Sequence, residues 1–309
     1  MMKYAIVFPG QGSQFVGMLA DLATLYPEIL DTFAVVSEQL QDDIWQLVQH
    51  GPEERLNQTE YTQVAMLAAD VALYQLLQRR QVSPPSMMAG HSLGEYAALV
   101  CAEALSLSDA AKLVQTRGRL MQATIPLGRG AMAAIVGLPD EQVMDICHQS
   151  TDVDTQVTPA NYNAPGQVVI AGHRDAVMRA IERAESAQAR MAKLIPVSVP
   201  CHCELLRPAA DKFAEVLANT PFQAPTIPVI SNVDLSTYQT PVQIRDLLQR
   251  QLYSPVRWVE TIQSMQKQGI NQIIECGPGK VLNGLTKRID KSVQGYAVQD
   301  LLLGDKNER

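Results

Sequence analysis

We expect the chain to be organised around residues 88–95, Met-Ala-Gly-His-Ser-Leu-Gly-Glu. They contain Gly90-His91-Ser92-Leu93-Gly94, a G-x-S-x-G pattern whose two glycines allow a tight strand-to-helix turn that a β-carbon would crowd. Residues 87–89 are apolar and residues 95–104 are rich in Ala and Leu, so the pattern predicts a strand before the turn and a helix after it. Ser92 then lies just before a helix N-terminus, where unpaired N–H groups favour an oxyanion. The pentapeptide indicates a nucleophilic serine, and it also fits a chance match in a chain of this length.

Length and composition fit a globular chain with one large core, or with a large domain that carries a smaller one. The chain has 309 residues, 47% of them hydrophobic, and a formal net charge of −7 that argues against a general nucleic-acid binder. No apolar run reaches the roughly 20 residues that a bilayer span needs. The five cysteines are scattered and lack paired metal-ligand spacing, so we expect reduced thiols, no metal site and a cytoplasmic protein.

Strands and helices alternate along most of the chain, which predicts a mainly parallel sheet with helices on both faces. Residues 128–197 depart from this alternation, because their patterns follow the order βαββαβ that is typical of a ferredoxin-like unit. We therefore expect an α/β fold with a large α/β-hydrolase-like domain at 1–127 and 198–309, and a small ferredoxin-like subdomain at 128–197. A cleft between the two is the expected ligand site.

Two polar residues outside the G-x-S-x-G pattern are candidates for chemistry. Arg117 lies in the apolar face of a predicted helix, where an arginine pairs with Asp or Glu or binds an anion, and the residues alone favour the internal ion pair. His202 follows Pro200 at a predicted strand end, and it is either a general base or a structural histidine. His91 is expected to point away from Ser92. The loop at 10–14 lacks the phosphate-binding patterns and suits the placement of a backbone N–H near a reaction centre.

Several further blocks, taken together with these, resemble the malonyl-CoA:acyl carrier protein transacylases. The blocks occur in the family's order from residue 4 to near residue 290, so no single motif has to carry the match. They are Phe8-Pro9-Gly10-Gln11-Gly12-Ser13-Gln14, residues 90–95, Arg117-Gly118, Val199-Pro200-Cys201-His202, Gln251-Leu252-Tyr253-Ser254-Pro255-Val256-Arg257-Trp258 and Glu275-Cys276-Gly277-Pro278-Gly279.

The resemblance implies an [acyl-carrier-protein] S-malonyltransferase that needs no cofactor and serves fatty acid biosynthesis. It moves malonyl from malonyl-CoA to the phosphopantetheine thiol of the carrier protein through a malonyl-serine intermediate. Ser92 is then the nucleophile, His202 the general base, and Gln251 supports the histidine through its backbone carbonyl. The family's oxyanion donors correspond to the backbone N–H groups of Gln11 and Leu93. Arg117 is similar to the residue that pairs with the malonyl carboxylate. The resemblance therefore favours anion binding by Arg117 over an internal ion pair.

The same resemblance supplies further expectations about substrate and partners. Malonyl-CoA and holo acyl carrier protein are the expected partners, without nucleic acid or membrane, and a monomer is expected. Cys201 stands where bacterial members usually have a serine. Further substrate-binding residues are expected at Gln63, Met121, Asn161, Asn163 and Asn232. Because carrier proteins are acidic, candidate docking residues are the basic Arg190, Lys193, Arg207, Lys212, Lys280, Lys287 and Arg288, each of which is otherwise an ordinary solvated charge.

Three other functions remain open from the sequence. An esterase or thioesterase of the α/β-hydrolase type also uses G-x-S-x-G, but its acid precedes its histidine, whereas Gln251 follows His202 here. A non-catalytic carrier-binding module would not need Ser92. A transferase of the same family that serves a polyketide pathway or takes a branched malonyl group is distinguished only by pocket shape, worth about 1–3 kcal/mol per methyl group.

Overall fold

The computed structural model describes residues 3–80, 83–126, 128–197 and 199–304, and its strands form two separate sheets. The larger sheet has five strands and the smaller has four, and no strand belongs to both. Numbered along the chain, the strands are β1 (Tyr4–Phe8), β2 (Met87–Gly90), β3 (Gly130–Val136), β4 (Val157–Ala164), β5 (Gln167–His173), β6 (Met191–Leu194), β7 (Val229–Ile230), β8 (Gln272–Glu275) and β9 (Gln294–Ala297).

The helices connect these strands and cover the sheets. None in the described part of the chain is long and apolar enough to cross a bilayer. They are α1 (Ala20–Leu25), α2 (Ile29–Leu40), α3 (Ile44–His50), α4 (Glu53–Leu56), α5 (Thr59–Arg79), α6 (Gly94–Cys101), α7 (Leu107–Thr124), α8 (Asp140–Ser150), α9 (Arg174–Ser186), α10 (Arg207–Asn219), α11 (Pro241–Gln251), α12 (Trp258–Lys267), α13 (Val281–Ile289) and α14 (Val298–Gly304), with a 3₁₀ turn at Glu204–Leu206.

The five-stranded sheet is parallel throughout, in the order β7-β2-β1-β8-β9, which confirms the prediction from the alternating elements. Its edge strand β9 was not predicted, because Gln294, Gly295 and Tyr296 are exposed and present no apolar run. The apolar residues at 229–233 predict a strand over all five positions, which is longer than β7. β7 ends at Ile230, and Ser231 and Asn232 leave the sheet and lie buried beside β2 and α6.

The four-stranded sheet is antiparallel, in the order β4-β5-β3-β6, and its elements follow the predicted βαββαβ sequence. One apolar cluster between this sheet and helices α8 and α9 draws all its buried residues from 131–192. The sequence pattern predicts a last strand over 191–199, but β6 is shorter. It ends at Leu194, because the N–H of Val197 turns back to the carbonyl of Ile195 instead of continuing the ladder.

The turn between β2 and α6 is held by close packing of backbone on backbone. β1 and β2 pair with Phe8 opposite Gly90, and α6 begins directly beside them. A Cβ on Gly94 would lie 2.1 Å from the carbonyl oxygen of Phe8, and a Cβ on Gly90 would lie 1.8 Å from the carbonyl carbon of Gly94. Ser92 between them has φ 52°, the strained left-handed conformation of a nucleophile turn. Both glycines of the pattern are therefore required by space.

We expect Gly94→Ala to destabilise the protein by about 3 kcal/mol or more, since the added methyl group overlaps backbone that has no room to move. Gly284→Ala is the matched control: it lies in the exposed face of α13 with nothing within 4 Å of its Cβ, and should stabilise by about 0.5–1 kcal/mol. Urea unfolding followed by circular dichroism measures both changes. Equal stability of the two variants would contradict the packing argument.

Candidate active site

Ser92 presents its hydroxyl at the tip of the turn between β2 and α6, where it meets His202. The Oγ of Ser92 lies 2.7 Å from Nε2 of His202, and the Nδ1 of that ring lies 2.8 Å from the backbone carbonyl oxygen of Gln251. A carbonyl only accepts hydrogen bonds, so Nδ1 carries the proton and Nε2 accepts from the serine hydroxyl. The geometry gives a serine whose proton has an acceptor in place.

His202 is held as a neutral base. Its side chain is buried, and burial together with the nearby charge of Arg117 lowers its pKa to about 3. Its backbone, at φ 61°, is fixed by the N–H bond to the carbonyl of Leu252 at 3.1 Å. Gln251 is the last residue of α11, so the carbonyl that orients the imidazole belongs to the negative pole of a helix. That pole favours the charge that the imidazole gains when it takes a proton.

Arg117 projects from α7 towards the same serine. Its guanidinium donates to Oε1 of Gln63 and to Oε1 of Gln251, each at 2.9 Å, and Nη2 lies 3.4 Å from Oγ of Ser92. Among the ion pairs of the described residues none includes Arg117, so the direct internal pair that the residues alone favoured is wrong. A buried guanidinium with amide neighbours and no contacting carboxylate is suited to binding an anion.

Gln251 connects these groups through its side chain as well as its backbone. Its amide N–H group donates to the carbonyl of Ser92 at 2.9 Å and to Oε2 of Glu95 at 2.8 Å, while its Oε1 accepts from Arg117. The residue is fully buried, so these bonds are not exchanged with water. Sequence reasoning gave Gln251 only the carbonyl contact with the histidine.

Glu95 is a buried carboxyl group that sequence reasoning did not single out. It accepts hydrogen bonds from the Gln251 amide, from the hydroxyl of Tyr238, and from the backbone N–H of Asn232 at 3.2 Å. Burial raises its pKa to about 7, against the opposing effect of its hydrogen bonds and of Arg117. The sequence signal for Glu95 was its position three residues after Ser92. On a helix, that spacing directs the side chain back towards the start of α6, where Ser92 lies.

Asn232 and Gln63, both among the candidate substrate-binding residues, are buried and do not line the cavity. Asn232 donates from Nδ2 to the carbonyl of Gly90 at 2.7 Å and accepts from the N–H of Ser92 at 2.8 Å, so both ends of its amide hold the turn. The Oε1 of Gln63 accepts a hydrogen bond from Arg117, and its Nε2 donates to the sulfur of Met121 at 3.6 Å. These contacts fix the position of the serine and of the guanidinium.

A cavity of about 200 Å³ opens at the serine, between the segments that carry the two sheets, where the sequence predicts a cleft. One side is polar. The other side is apolar and comes mainly from the four-stranded sheet and the segment that follows it. The lining residues are Gln11, His91, Ser92, Leu93, Arg117, Met121, Met132, Asn161, Asn163, Val169, Ile195, Val197, Cys201 and His202.

Gln11 and Leu93 bring backbone donors to this cavity. Among the described residues, neither N–H donates to a backbone or side-chain acceptor, and Leu93 is the N-cap of α6. Two unpaired N–H groups beside a serine hydroxyl are the arrangement that stabilises a tetrahedral oxyanion.

His91 lines the cavity, against the expectation that it points away from Ser92. Its Nε2 lies 2.8 Å from Oδ1 of Asn163, its ring packs against Trp258, and burial lowers its pKa. Cys201 also lines the cavity, and burial raises its pKa to about 11, which keeps the thiol protonated. No three His, Cys, Asp or Glu side chains gather as a possible metal site within the described ranges.

The chain is similar to known acyl transferases over nearly its whole length. A family model described as the acyl transferase domain matches residues 5–304. A malonyl-CoA–acyl carrier protein transacylase from Escherichia coli (strain K12) is 51% identical over 300 residues, 97% of each chain. The solved structure of such a transacylase from Coxiella burnetii is 48% identical with a TM-score of 0.96, covering 99% of this chain and 97% of that one. A solved complex of a malonyl-transacylase with the acyl-carrier protein of a type II PKS is 49% identical with a TM-score of 0.95, covering 98% and 99%.

The buried, neutral His202 makes the stability of the protein depend on pH in a defined direction. The native pKa of His202, about 3, lies below the unfolded value near 6.5. The contribution of the neutral imidazole to the free energy of unfolding is therefore complete above pH 6.5 and is lost as the pH falls towards 3. The loss approaches about 1.4 kcal/mol per pH unit, because the unfolded imidazole takes a proton that the native one does not.

We therefore expect the free energy of unfolding of His202→Gln to decrease less between pH 6.5 and pH 5 than that of the wild type, as measured by urea unfolding. The control is His148→Gln, at an exposed position on α8, which should keep the wild-type pH dependence. Glu95 titrates in the same range but is present in all three proteins. Parallel pH profiles for wild type and His202→Gln would show that the imidazole is not held neutral.

Proposed function

We propose a function for this chain, which belongs to the acyl transferase family. It moves malonyl from malonyl-CoA to the phosphopantetheine thiol of acyl carrier protein, for fatty acid synthesis. The observation that carries the proposal is one contact set at Ser92. Its Oγ lies 2.7 Å from a neutral imidazole and 3.4 Å from a buried guanidinium that has no carboxylate in direct contact among the described residues. This set combines a nucleophile, a base and a carboxylate receptor.

The first half-reaction forms malonyl-serine. His202 accepts the hydroxyl proton of Ser92 as the oxygen attacks the thioester carbonyl, and the N–H groups of Gln11 and Leu93 stabilise the oxyanion. The C–S bond then breaks, and His202 returns the proton to the sulfur of departing CoA. The α11 carbonyl of Gln251 stabilises the intervening imidazolium, the task that an aspartate performs in serine hydrolases.

The second half-reaction is the reverse sequence with a different thiol. The phosphopantetheine thiol of the carrier gives its proton to His202 and attacks the acyl carbonyl, and Ser92 recovers its proton as the ester bond breaks. Because a thioester is exchanged for a thioester, the reaction is near thermoneutral. The site has to keep water from the malonyl-serine, and the apolar side of the cavity, formed by residues such as Met132, Val169 and Ile195, supports that exclusion.

Selection for malonyl follows from the charge of Arg117. One methylene group separates the carboxylate of a malonyl group from the carbonyl that is esterified to Ser92. The carboxylate is therefore within reach of a guanidinium beside the serine oxygen. An acetyl group would occupy the same place without a carboxylate, so the guanidinium would gain no anion in direct contact.

We also propose the domain division 1–127 with 198–309 against 128–197, and a cytoplasmic monomer. The separate apolar cluster inside 131–192 supports the division, and five free cysteines support a reducing compartment. All seven basic residues named for carrier docking are exposed, and of these Arg207 pairs with Glu204 and Lys280 with Asp300.

The nucleophile is tested by intact-protein mass after brief incubation with malonyl-CoA. Wild type should gain one malonyl group, which then passes to added holo carrier protein, while Ser92→Ala should gain none because no hydroxyl is left to acylate. Ser254→Ala replaces another serine near the site, on the segment after α11, and should be labelled like wild type. Release of malonate to water with an unmodified carrier would favour the hydrolase alternative.

The carboxylate receptor is tested by Arg117→Ala. We expect the preference for malonyl-CoA over acetyl-CoA, taken as the ratio of kcat/KM values, to fall by about 10- to 100-fold, the range of one charge-assisted contact of 1.5–3 kcal/mol. Arg119→Ala is the matched control, because that side chain lies on the same helix but is 59% exposed and paired with Glu60. An unchanged preference in Arg117→Ala would leave the arginine with a structural role only.

A further inference from the structure

We propose that Glu95 is the counter-charge of Arg117 while the cavity is empty, and that it takes up a proton when the carboxylate of a bound acyl group reaches Arg117. The inference rests on the proposed function, since it requires an acyl group that carries a second carboxylate. Glu95 does not line the cavity, so it is a positioning residue that acts through Gln251.

One amide separates the two charges. The Oε1 of Gln251 accepts from Arg117 at 2.9 Å, and its Nε2 donates to Glu95 at 2.8 Å. The positive end of the amide dipole therefore faces the carboxylate and the negative end faces the guanidinium. All three side chains are at most 1% exposed, so water screens this arrangement little.

The charge balance of the site changes when the acyl group arrives. The empty site holds one guanidinium and one carboxylate, which compensate each other through Gln251. A bound malonyl group adds a second carboxylate to the same cation in the same low-dielectric region. Two carboxylates that share one cation do not both stay ionised easily, and the one further from the cation is the one whose pKa rises. In this site that group is Glu95, which meets Arg117 only through an amide.

The surroundings of Glu95 satisfy both of its protonation states. As a carboxylate it accepts from the hydroxyl of Tyr238; as a neutral acid it donates to that oxygen, and the tyrosine hydroxyl proton turns towards Ser231, which lies nearby. The second oxygen of Glu95 keeps its bonds from Gln251 and Asn232 in either state. The proton is therefore accommodated without rearrangement of the chain.

The other titratable groups around this site do not compete near neutral pH. From α6, Tyr96 faces Glu95, and from the segment after β7, Tyr238 does; burial raises the pKa of both phenols. Arg117 acts on Glu95 from α7 as a fixed positive charge. The imidazoles of His91 and His202 in the cavity have lowered pKa values, whereas the pKa of Glu95 is about 7.

A direction for pH dependence follows. If the bound state holds one more proton than the empty state, malonyl loading weakens as the pH rises above about 7, by up to tenfold per pH unit between the empty and loaded pKa values of Glu95. Acylation itself adds no proton, because the hydroxyl proton of Ser92 leaves on the CoA sulfur. Any net uptake from solution therefore reports another group.

The test mixes wild-type protein with malonyl-CoA in weak buffer containing a pH indicator, in a stopped-flow instrument, while intact mass counts the malonyl-serine formed. At pH 7.5 we expect a burst of about half a proton or more taken up per malonyl-serine, and at pH 6, where Glu95 is already largely protonated, a much smaller burst. Full malonylation without uptake at pH 7.5 overturns the inference and leaves the proposed function standing. Absence of the malonyl mass itself counts against the proposed function.

Glu95→Gln assigns the proton. This variant should still become malonylated, even if slowly, but without the burst, whereas Glu260→Gln, which removes a partly exposed carboxylate paired with Arg257, should keep it. A burst of wild-type size in Glu95→Gln would overturn the assignment to Glu95. If Glu95→Gln fails to fold, the pH profile of the wild-type burst alone still decides whether the uptake exists.

Discussion

The hydrogen bonds of Gln251 are the constraint on which the site depends. Its backbone carbonyl orients His202, and its amide holds the carbonyl of Ser92 while it joins Arg117 to Glu95. Each partner is a buried polar group, and leaving one such group without its bond costs about 1–3 kcal/mol, more where it is charged. Ser92, His202 and Arg117 therefore share one hydrogen-bonding partner, at the C-terminal end of α11.

Two helix ends of opposite polarity flank the reacting serine. α6 begins just after Ser92 and presents unpaired N–H groups, which favour the oxyanion, and α11 ends at Gln251 and presents a carbonyl, which favours the imidazolium. Charge that develops in the transition state is met on both sides by fixed backbone dipoles. The carbonyl occupies the place of a carboxylate partner for His202, and the buried carboxyl group of Glu95 is joined through the Gln251 amide to Arg117 instead.

The fold was predictable where periodicity was strong and the turn was sterically constrained. The parallel sheet and the βαββαβ order followed from alternating apolar runs, and the β2–α6 turn followed from two glycines whose Cβ positions are occupied by backbone. The exposed edge strand β9 was missed, because a pair of strands can be held by backbone bonds alone, without an apolar pattern. The short strand β7 was predicted too long. The short helices α3, α4 and α14 were not predicted.

By itself, the sequence determined the serine turn, the likeness to a family of malonyl transferases, and the presence of an arginine within an apolar helix face. Only the tertiary structure decided what that arginine meets: two glutamine amides and the serine oxygen rather than a carboxylate. It also decided that Glu95 is buried one amide away, and that His91 faces the cavity. A local pattern fixes which way a side chain leaves its own helix or strand, whereas its partners come from segments 25 to 156 residues away that packing brings together.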